Sequence, residues 1–377
     1  MSNKADDKAM KPAAKRALVP KLRFPEFREA GEWEKKQLDD FAVIVRGGSP
    51  RPIDEYITND PNGLNWLKIG DIDKESKFVT STQEKVIPAA LSKTRVVNPG
   101  DLILSNSMSF GRPYILEIKT CIHDGWIAVS EIDERLDRDF LYYLMMTPAS
   151  QTYFSNNAAG SGVQNLNADI IKLLPVSYPN KKEQQKIADC LDSLDELVSL
   201  EAQKLDTLKA HKKGLMQQLF PRDGETLPQL RFPEFREAGE WDKKAISDAC
   251  RITQGGTPDT SVSSFWGGTI QWITPAEMGK GNSKYISTTA RSITDEGLAN
   301  CSSELLPANS VILSTRAPIG HLAINQVPMA INQGCRGLIP RSGFDAHFIY
   351  YALDRSKAQL NDLGSGNTFK ELSGNSL

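Results

Sequence analysis

The sequence predicts an α+β fold in which two repeated mixed α/β domains are joined by a long coiled-coil helix. Three observations predict it: a twelve-residue segment that occurs twice, leucines at heptad spacing between the two copies, and short apolar runs alternating with turn residues inside each half. At 377 residues the chain is too long for one ordinary domain and long enough to bury two cores.

The repeat fixes the architecture before any local reading. LRFPEFREAGEW at residues 22–33 returns unchanged at residues 230–241, each copy followed by an acidic residue and two lysines, a period of 208 residues. Looser matches keep the same order: GGSP at 47–50 with GGTP at 255–258, NWLKIGDI at 65–72 with QWITPAEM at 271–278, NPGDLILS at 98–105 with PANSVILS at 307–314, FLYYLM at 140–145 with FIYYAL at 348–353, and GSG at 160–162 with GSG at 364–366. Both halves should therefore share one fold. Inside a half, runs rich in Val, Ile and Leu, such as residues 101–104 and 126–130, alternate with Gly, Pro, Asn and Asp clusters, the pattern of a mixed or mainly β domain. A helix is expected over residues 137–146. An invariant opening followed by a divergent middle describes one frame carrying two different loop sets.

The clearest helix lies between the halves. Asn180 and Glu183 suit an N-cap and capping box, and Pro221 supplies the stop. Ile187, Leu191, Leu194, Val198, Leu205, Leu208, Leu215 and Leu219 follow the alternating four-three step of a heptad seam, with Glu201 and Lys212 at the two positions that break it. About forty residues at about 1.5 Å each make a rod of roughly 60 Å, a ruler between two domains. Such a seam calls for a partner helix, because a bare stripe of leucines would stay in water; the alternative is an ordinary core helix of the first domain. In a full duplication the partner would follow the second half, but that half stops at the equivalent of Ile170 or Ile171, without a counterpart of residues 172–221. The chain thus divides into a polar tail (1–17), a first domain (18–179), the helix (180–221) and a second domain (222–377), truncated before a helix of its own.

Composition bounds the rest. Hydrophobic residues at 40% and charged residues at 24% exclude a disordered or fibrous chain. Lys and Arg number 45 against 47 Asp and Glu, so the net charge of -2 lacks the basic excess of a self-sufficient DNA binder, and positive charge toward DNA must be local or come from other subunits. Residues 1–15 hold no apolar signal core and no run approaches membrane-spanning length, which places the chain in the cytoplasm. Cys121, Cys190, Cys250, Cys301 and Cys335 form no CxxC pair and fit buried thiols in a reducing compartment, with no metal site.

With the PEFREAGEW openings, PNKKEQQKIADCLDSLDELV at 179–198 and KKGLMQQLFP at 212–221 in view, the sequence resembles the specificity subunits of Type I restriction-modification systems over nearly all of the chain after about Leu18. The resemblance implies two target recognition domains, each reading one half of a split site on double-stranded DNA, separated by antiparallel conserved helices that also dock two modification subunits. It implies that residues 22–179 form the first recognition domain, 181–220 the first spacer helix, and 230–377 most of the second recognition domain. The methyltransferase with its S-adenosylmethionine, and the translocating nuclease with its ATP and Mg, would belong to modification and restriction subunits, leaving this chain without a cofactor or a catalytic centre. The missing distal spacer departs from the family pattern and leaves a second possibility, a truncated regulatory or scaffold fragment.

Reading a base edge in the major groove takes donors and acceptors on projecting loops, with Arg suited to guanine and Asn or Gln to adenine. The candidates in the first half are Gly47, Gly48, Ser49 and Arg51, then Lys68 and Asp71, then Ser105, Asn106, Ser107, Ser109 and Arg112, then His123 and Asp124, then Gln164 and Asn165. The second half offers Gly255, Gly256 and Thr257, then Ser314, Thr315 and Arg316, then His321, Asn332 and Gln333. Paired glycines let backbone approach a phosphate, but a tight turn explains them equally. SNSMSFGR at 105–112 is too polar for a strand interior, and its equivalent STRAPIGH at 314–321 differs in nearly every polar residue, as two unlike half-sites would require. His123 with Asp124 also reads as a locally satisfied turn pair, and the lysines 172, 181, 182, 209, 212 and 213 as solvation of a seam rather than phosphate contacts.

Enzyme readings fare worse. Asp101, Glu117 and Lys119 imitate the acid-acid-lysine set of a metal-dependent nuclease, but the second half carries Ser310, Gln326 and Val327 in that stretch. No Gly-rich loop ending in Gly-Lys-Ser/Thr is present. NPGD at 98–101 lacks the second proline and the aromatic of an adenine methyltransferase motif, and reads as a turn into a strand.

Overall fold

The computed structural model describes residues 18–73, 75–106, 110–158, 165–279, 283–316 and 318–363. The chain separates into two units, residues 1–203 and 204–377, and the division falls inside the long helix Lys181–Leu219.

In the first unit a five-stranded sheet runs in the order Val43–Arg46, Trp126–Ser130, Leu102–Ser105, Pro113–Leu116, Phe78–Val79. The three middle strands pair antiparallel, with Trp126 opposite Ser105 and Leu104 opposite Pro113. The side-chain period of two divides the central strand: Leu102 and Leu104 face a core shared with Phe140, Leu141 and Met145, whereas Ile103 faces a second core with Leu67, Tyr114 and Trp126. Because both faces are covered, the central strands are apolar throughout instead of alternating. The first cover is the helix Arg138–Met146, whose N-cap Asp137 accepts the N–H groups of Asp139 and Phe140. The second is another five-stranded sheet, ordered Ile57–Thr58, Glu84–Val86, Leu64–Leu67, Thr120–Ile122, Arg95–Val97.

The second unit repeats the main sheet strand for strand, whereas its second sheet has three strands among the described residues, Ser292–Ile293, Trp266–Ile273 and Met329–Ile331, in place of five. Its main sheet runs Cys250–Gln254, Cys335–Pro340, Val311–Ser314, Leu322–Asn325, Tyr285–Ile286, with Cys335 opposite Ser314 and Leu313 opposite Leu322. Val311 and Leu313 meet Ile349 and Leu353 of the helix Ala346–Arg355, again capped by an aspartate, Asp345; Ile312 meets Ile273 and Ile331 on the other side. In both units the second sheet contains a parallel pair, Trp66 opposite Cys121 and Trp272 opposite Ala330.

The first unit has one feature more. Glu34–Gln37 pairs antiparallel with Pro175–Tyr178, and the Tyr178 hydroxyl donates to Glu34 Oε2 at 2.6 Å. The chain then turns through Asn180, whose Oδ1 accepts the Glu183 N–H at 3.1 Å, and enters the long helix. Only half of the expected capping box forms. Glu183 does not fold back on its own N-cap: its carboxylate is buried and accepts from Arg23 Nε at 2.7 Å, Arg23 Nη2 at 2.6 Å and Trp33 Nε1 at 3.3 Å. An ion pair to a residue in the repeated opening outcompetes the weaker local bond to a backbone N–H.

The helix ends at Leu219, ahead of Pro221. No helix among the described residues is long and apolar enough to cross a membrane.

Candidate nucleic-acid interface

At one end of the main sheet of the first unit, the loop that follows Val43–Arg46 lies against the turn that precedes Trp126–Ser130. The Gly47 N–H donates to the Trp126 carbonyl at 2.8 Å and the Gly48 N–H to the Ile122 carbonyl at 3.1 Å. A Cβ on Gly47 would sit 2.2 Å from the His123 carbonyl oxygen, so only glycine fits. The close approach that the paired glycines permit is thus to the chain's own backbone. On this base the side chains converge. Ser49 Oγ donates to Asp124 Oδ1 at 2.9 Å, Arg46 Nε donates to the Asp124 carbonyl at 2.8 Å, Arg51 Nη2 lies 3.6 Å from Asp124 Oδ2, and His123 Nε2 lies 3.1 Å from Asp124 Oδ1. Burial pushes Asp124 up, but the Ser49 hydroxyl and the charges of His123, Arg46 and Arg51 outweigh it, and its carboxyl titrates below the usual range. Trp66 presents its edge to His123, with ring centroids 6.0 Å apart. Arg51, Ile53, Trp66, Lys68, Glu84 and His123 line an open cleft of about 740 Å³.

The second unit builds the same base. The Gly256 N–H donates to the Ile331 carbonyl at 2.9 Å, and a Cβ on Gly255 would sit 1.9 Å from the Asn332 carbonyl oxygen. The turns correspond residue by residue: His123 Nδ1 accepts the Gly125 N–H at 2.9 Å, and Asn332 Oδ1 accepts the Gly334 N–H at 2.8 Å. Asn106 N–H donates to the Gly125 carbonyl at 2.9 Å as Thr315 N–H does to that of Gly334 at 2.8 Å. What stands on the base differs. Where the first unit has Ser49, His123 and Asp124, the second has Thr257, Asn332 and Gln333. The Asn332 amide donates to Thr257 Oγ1 at 3.0 Å and Thr257 in turn to Gln333. Behind them, Trp272 Nε1 donates to the Gly256 carbonyl at 2.9 Å. An ionic cluster in one unit thus occupies the address of a neutral amide cluster in the other.

The remaining candidates fall into two groups. Ser105, Asn106, Ser314 and Thr315 are buried at the ends of strands: Asn106 Nδ2 donates to the Asp124 carbonyl at 3.0 Å and Ser314 Oγ accepts the His321 N–H at 2.8 Å, while Thr315 Oγ1 has no hydrogen-bond partner among the described residues. Their side chains present little surface to a ligand. Asp71 accepts the Lys68 N–H at 2.9 Å, Lys68 pairs with Glu84 at 2.5 Å, and His321 Nδ1 donates to the Met278 carbonyl at 3.0 Å. Half-buried Arg112 lies 5.8 Å from the Tyr114 ring, and Arg316 is exposed. The Leu166 N–H reaches the Asn106 carbonyl at 2.9 Å, which brings exposed Asn165 to the base of that hairpin. Ser107, Ser109 and Gln164 lie outside the described residues. Arg46, Trp66 and Trp272 were not among the candidates; aligning CIHDGW at 121–126 with AINQGC at 330–335 would have pointed to the shared base they support.

Of the lysines considered for phosphate, Lys172 pairs with Asp169 at 2.9 Å, Lys181 with Asp137 at 3.6 Å and Lys209 with Asp206 at 3.5 Å. Lys212 lies 5.6 Å from the Tyr351 ring. Asp101 accepts the Asn98 N–H at 2.8 Å and so closes the turn before its strand, while Glu117 and Lys119 are exposed. Among the described residues no group of three or more His, Cys, Asp or Glu is placed to hold a metal.

Along the long helix, Ile187 packs into the first core, and Leu191, Leu215 and Leu219 are half-buried. Between them Leu194, Val198, Leu205 and Leu208 are 42 to 69% exposed, and Leu197 and Leu200, outside the expected seam, are exposed as well. The apolar stripe is therefore wider than a strict heptad and bare over its middle.

Comparison with known proteins follows the same two-part plan. A family model described as the Type I restriction modification DNA specificity domain matches residues 30–210 and 238–377. The Type I restriction enzyme MjaIX specificity subunit of Methanocaldococcus jannaschii is 39% identical over 141 residues, 37% of this chain and 32% of that protein, so the match spans about a third of that relative. The putative MjaX specificity subunit of the same organism is 23% identical over 354 residues, 90% of this chain and 80% of that protein. A solved S subunit of a Type I restriction-modification system from M. genitalium has the same fold, with a TM-score of 0.51 and 15% identity over 88% of this chain and 79% of its own.

Proposed function

The chain belongs to the family of Type I restriction-modification DNA specificity proteins, and on that premise we propose that it is the sequence-reading subunit of such a complex, directing partner subunits to a bipartite site on double-stranded DNA. The observation that carries this reading is the shared backbone base of Gly47 with the His123 turn and Gly255 with the Asn332 turn, on which unlike side chains stand. A rigid base holds each reading group in place, and the groups on it decide the bases read. In the first unit exposed Arg51, 3.6 Å from Asp124, offers the planar fork that matches the guanine edge; in the second, exposed Gln333 beside Thr257 and Asn332 offers the amide that matches adenine. His123 and Lys68 add donors in the first unit. The two units then read different half-sites.

Chemistry on the DNA belongs, in this reading, to two modification subunits carrying S-adenosylmethionine and to a restriction subunit using ATP and Mg, with this chain non-catalytic. The bare stripe of Leu194, Val198, Leu205 and Leu208 is the surface on which a modification subunit docks, since a water-exposed leucine stripe gains most by burial against a partner. The net charge of -2 gives phosphate neutralisation largely to those partners. The complex works in the cytoplasm, where its DNA is.

Two substitutions test the reading. In the assembled complex Arg51→Ala relaxes discrimination at one half-site and Gln333→Ala at the other, each by roughly 1–3 kcal/mol, measured by competition binding on a panel of singly altered sites. A loss that is uniform over all sequences in both variants contradicts the assignment of these residues to reading. Assembly without any sequence preference favours a scaffold fragment instead.

A further inference from the structure

The second sheets of the two units place opposite charges at one address. In the first unit Asn65 lies opposite Lys85 and Trp66 opposite Glu84. In the second, Gln271 lies opposite Ser292, and one step further the Trp272 N–H donates to the Arg291 carbonyl at 3.2 Å. Glu84 thus corresponds to Arg291, each beside the tryptophan that backs the turn of its own unit. Glu84 is neutralised by Lys68 at 2.5 Å, and the second unit has Thr274 where the first has Lys68.

Arg291 is held in place without being neutralised. Its guanidinium lies over the Trp266 ring, 3.5 Å from the centroid, and 5.5 Å from the Trp272 ring; the two rings meet edge to face at 5.1 Å. Both indoles also hold the loop that follows the paired glycines: Trp272 Nε1 donates to the Gly256 carbonyl at 2.9 Å and Trp266 Nε1 to that of Asp259 at 3.1 Å. The acids nearby are taken up elsewhere. Glu277 Oε2 accepts the Thr274 N–H at 2.9 Å and its hydroxyl at 2.8 Å, and Glu277 Oε1 accepts the Ala290 N–H at 2.7 Å. Asp259 Oδ1 accepts the Ser261 N–H at 2.9 Å and its hydroxyl at 2.7 Å. Thr289 Oγ1 donates to the Arg291 carbonyl at 2.7 Å, which with the Glu277 bond pins the backbone on both sides of the side chain. Arg291 is exposed, and among the described residues no carboxylate or carbonyl accepts from its guanidinium. Stacking covers one face of the fork and leaves the donors in its plane open.

The charge at this address is the reverse of the charge on the turn. The first-unit turn carries Arg46 and Arg51 around Asp124, and its second sheet offers an acid. The second-unit turn carries neutral Thr257, Asn332 and Gln333, and its second sheet offers an arginine. An amide cluster can read a base edge but cannot neutralise a phosphate, so positive charge has to stand beside it. Resting on the DNA-reading role proposed above, we infer that Arg291 is a phosphate contact of the second unit: two parallel N–H groups of its fork donate to one backbone phosphate of the second half-site. The clamp sets the register of the duplex against Gln333 and carries no sequence preference of its own.

The full chain, assembled with its modification subunit, is titrated onto labelled duplexes carrying the target motif and singly altered versions of it, and binding is followed by fluorescence anisotropy over a series of salt concentrations. Arg291→Gln is expected to weaken binding to all of them alike, by roughly tenfold at low salt, the cost of losing hydrogen bonds between charged groups. It should also reduce the slope of log affinity against log salt by about 1. Arg291→Lys, which keeps the charge and loses the fork, should restore the slope and part of the affinity. An unaltered slope with Arg291→Gln overturns the inference. So does a loss confined to one base pair of the second half-site, which makes Arg291 a reader of bases, and so does a lysine variant as weak as the glutamine one, which shows that the side chain serves the Trp266 stack alone. Failure of the reading role looks different: a wild-type complex without sequence preference removes the half-sites, while the slope lost with Arg291→Gln still marks the phosphate contact.

Discussion

Arg23 and Glu183, 160 residues apart in the chain, share two hydrogen bonds of 2.7 and 2.6 Å with only 7% and 1% of their side chains exposed. The pair ties the repeated opening to the first turn of the long helix, so the helix leaves the first unit in a fixed direction. Removing one partner of a buried pair strands the other. Glu183→Ala should therefore lower the urea midpoint of the first unit by on the order of 1 M or more, whereas Arg231→Met, which removes hydrogen bonds to the carbonyls of Phe235, Ala238 and Gly239 but strands no carboxylate among the described residues, should cost the second unit less. Equal effects of the two substitutions on their units would mean that the two copies of the repeat are not differently engaged.

Gly47→Ala and Gly255→Ala should each destabilise the unit that carries them by about 1–3 kcal/mol or more, because the new methyl group meets a backbone carbonyl that cannot move without opening the reading turn. Hydrogen exchange at Trp126 and Cys335 reports the opening separately in each unit. Unchanged protection would refute the close approach.

Leu194→Glu with Leu208→Glu should leave the fold intact, since both side chains are more than half exposed, and should abolish assembly with modification subunits. Far-ultraviolet circular dichroism checks the first half of that statement and sedimentation velocity the second. A normal complex from the double variant would remove the stripe from the docking surface.

Tyr178 supplies a pH dependence. Burial first, and then its hydrogen bond to Glu34, push its hydroxyl up to about 12 from 10.0. A raised value in the folded state means that the stabilisation is complete below pH 10 and is lost as pH rises from 10 to about 12. Thermal melts across that window should show the first unit weakening, and Tyr178→Phe should flatten the dependence. An identical alkaline profile for the variant would show that Tyr178 is not the group responsible.

Much of the fold was legible because its signals are local or repeated. The twelve identical residues announced the duplication, heptad spacing and Pro221 the long helix, and the helix expected over residues 137–146 spans Arg138–Met146. Glu183 was misread for an equally local reason: an acid three residues after an N-cap suits a capping box, and nothing nearby announces an arginine 160 residues away. Polarity alone did not show burial at Asn106 and Ser314, because a hairpin base uses buried hydroxyls and amides for its own backbone as readily as an exposed loop uses them for a ligand. For the paired glycines the sequence left phosphate approach and a tight turn equally open; Gly47 and Gly255 each lie against a carbonyl of the facing turn, a distance that no spacing in sequence encodes.

The central claim, that this chain selects the DNA sequence on which others act, is tested most directly by co-expressing it with its modification subunit and mapping methylated adenines across a plasmid by single-molecule sequencing, with wild-type chain, Arg51→Ala and Gln333→Ala. The account predicts methylation at one split motif only when both proteins are present, with one half of the motif relaxed by each substitution. Methylation at the same sites without this chain, or a motif that neither substitution alters, would contradict it.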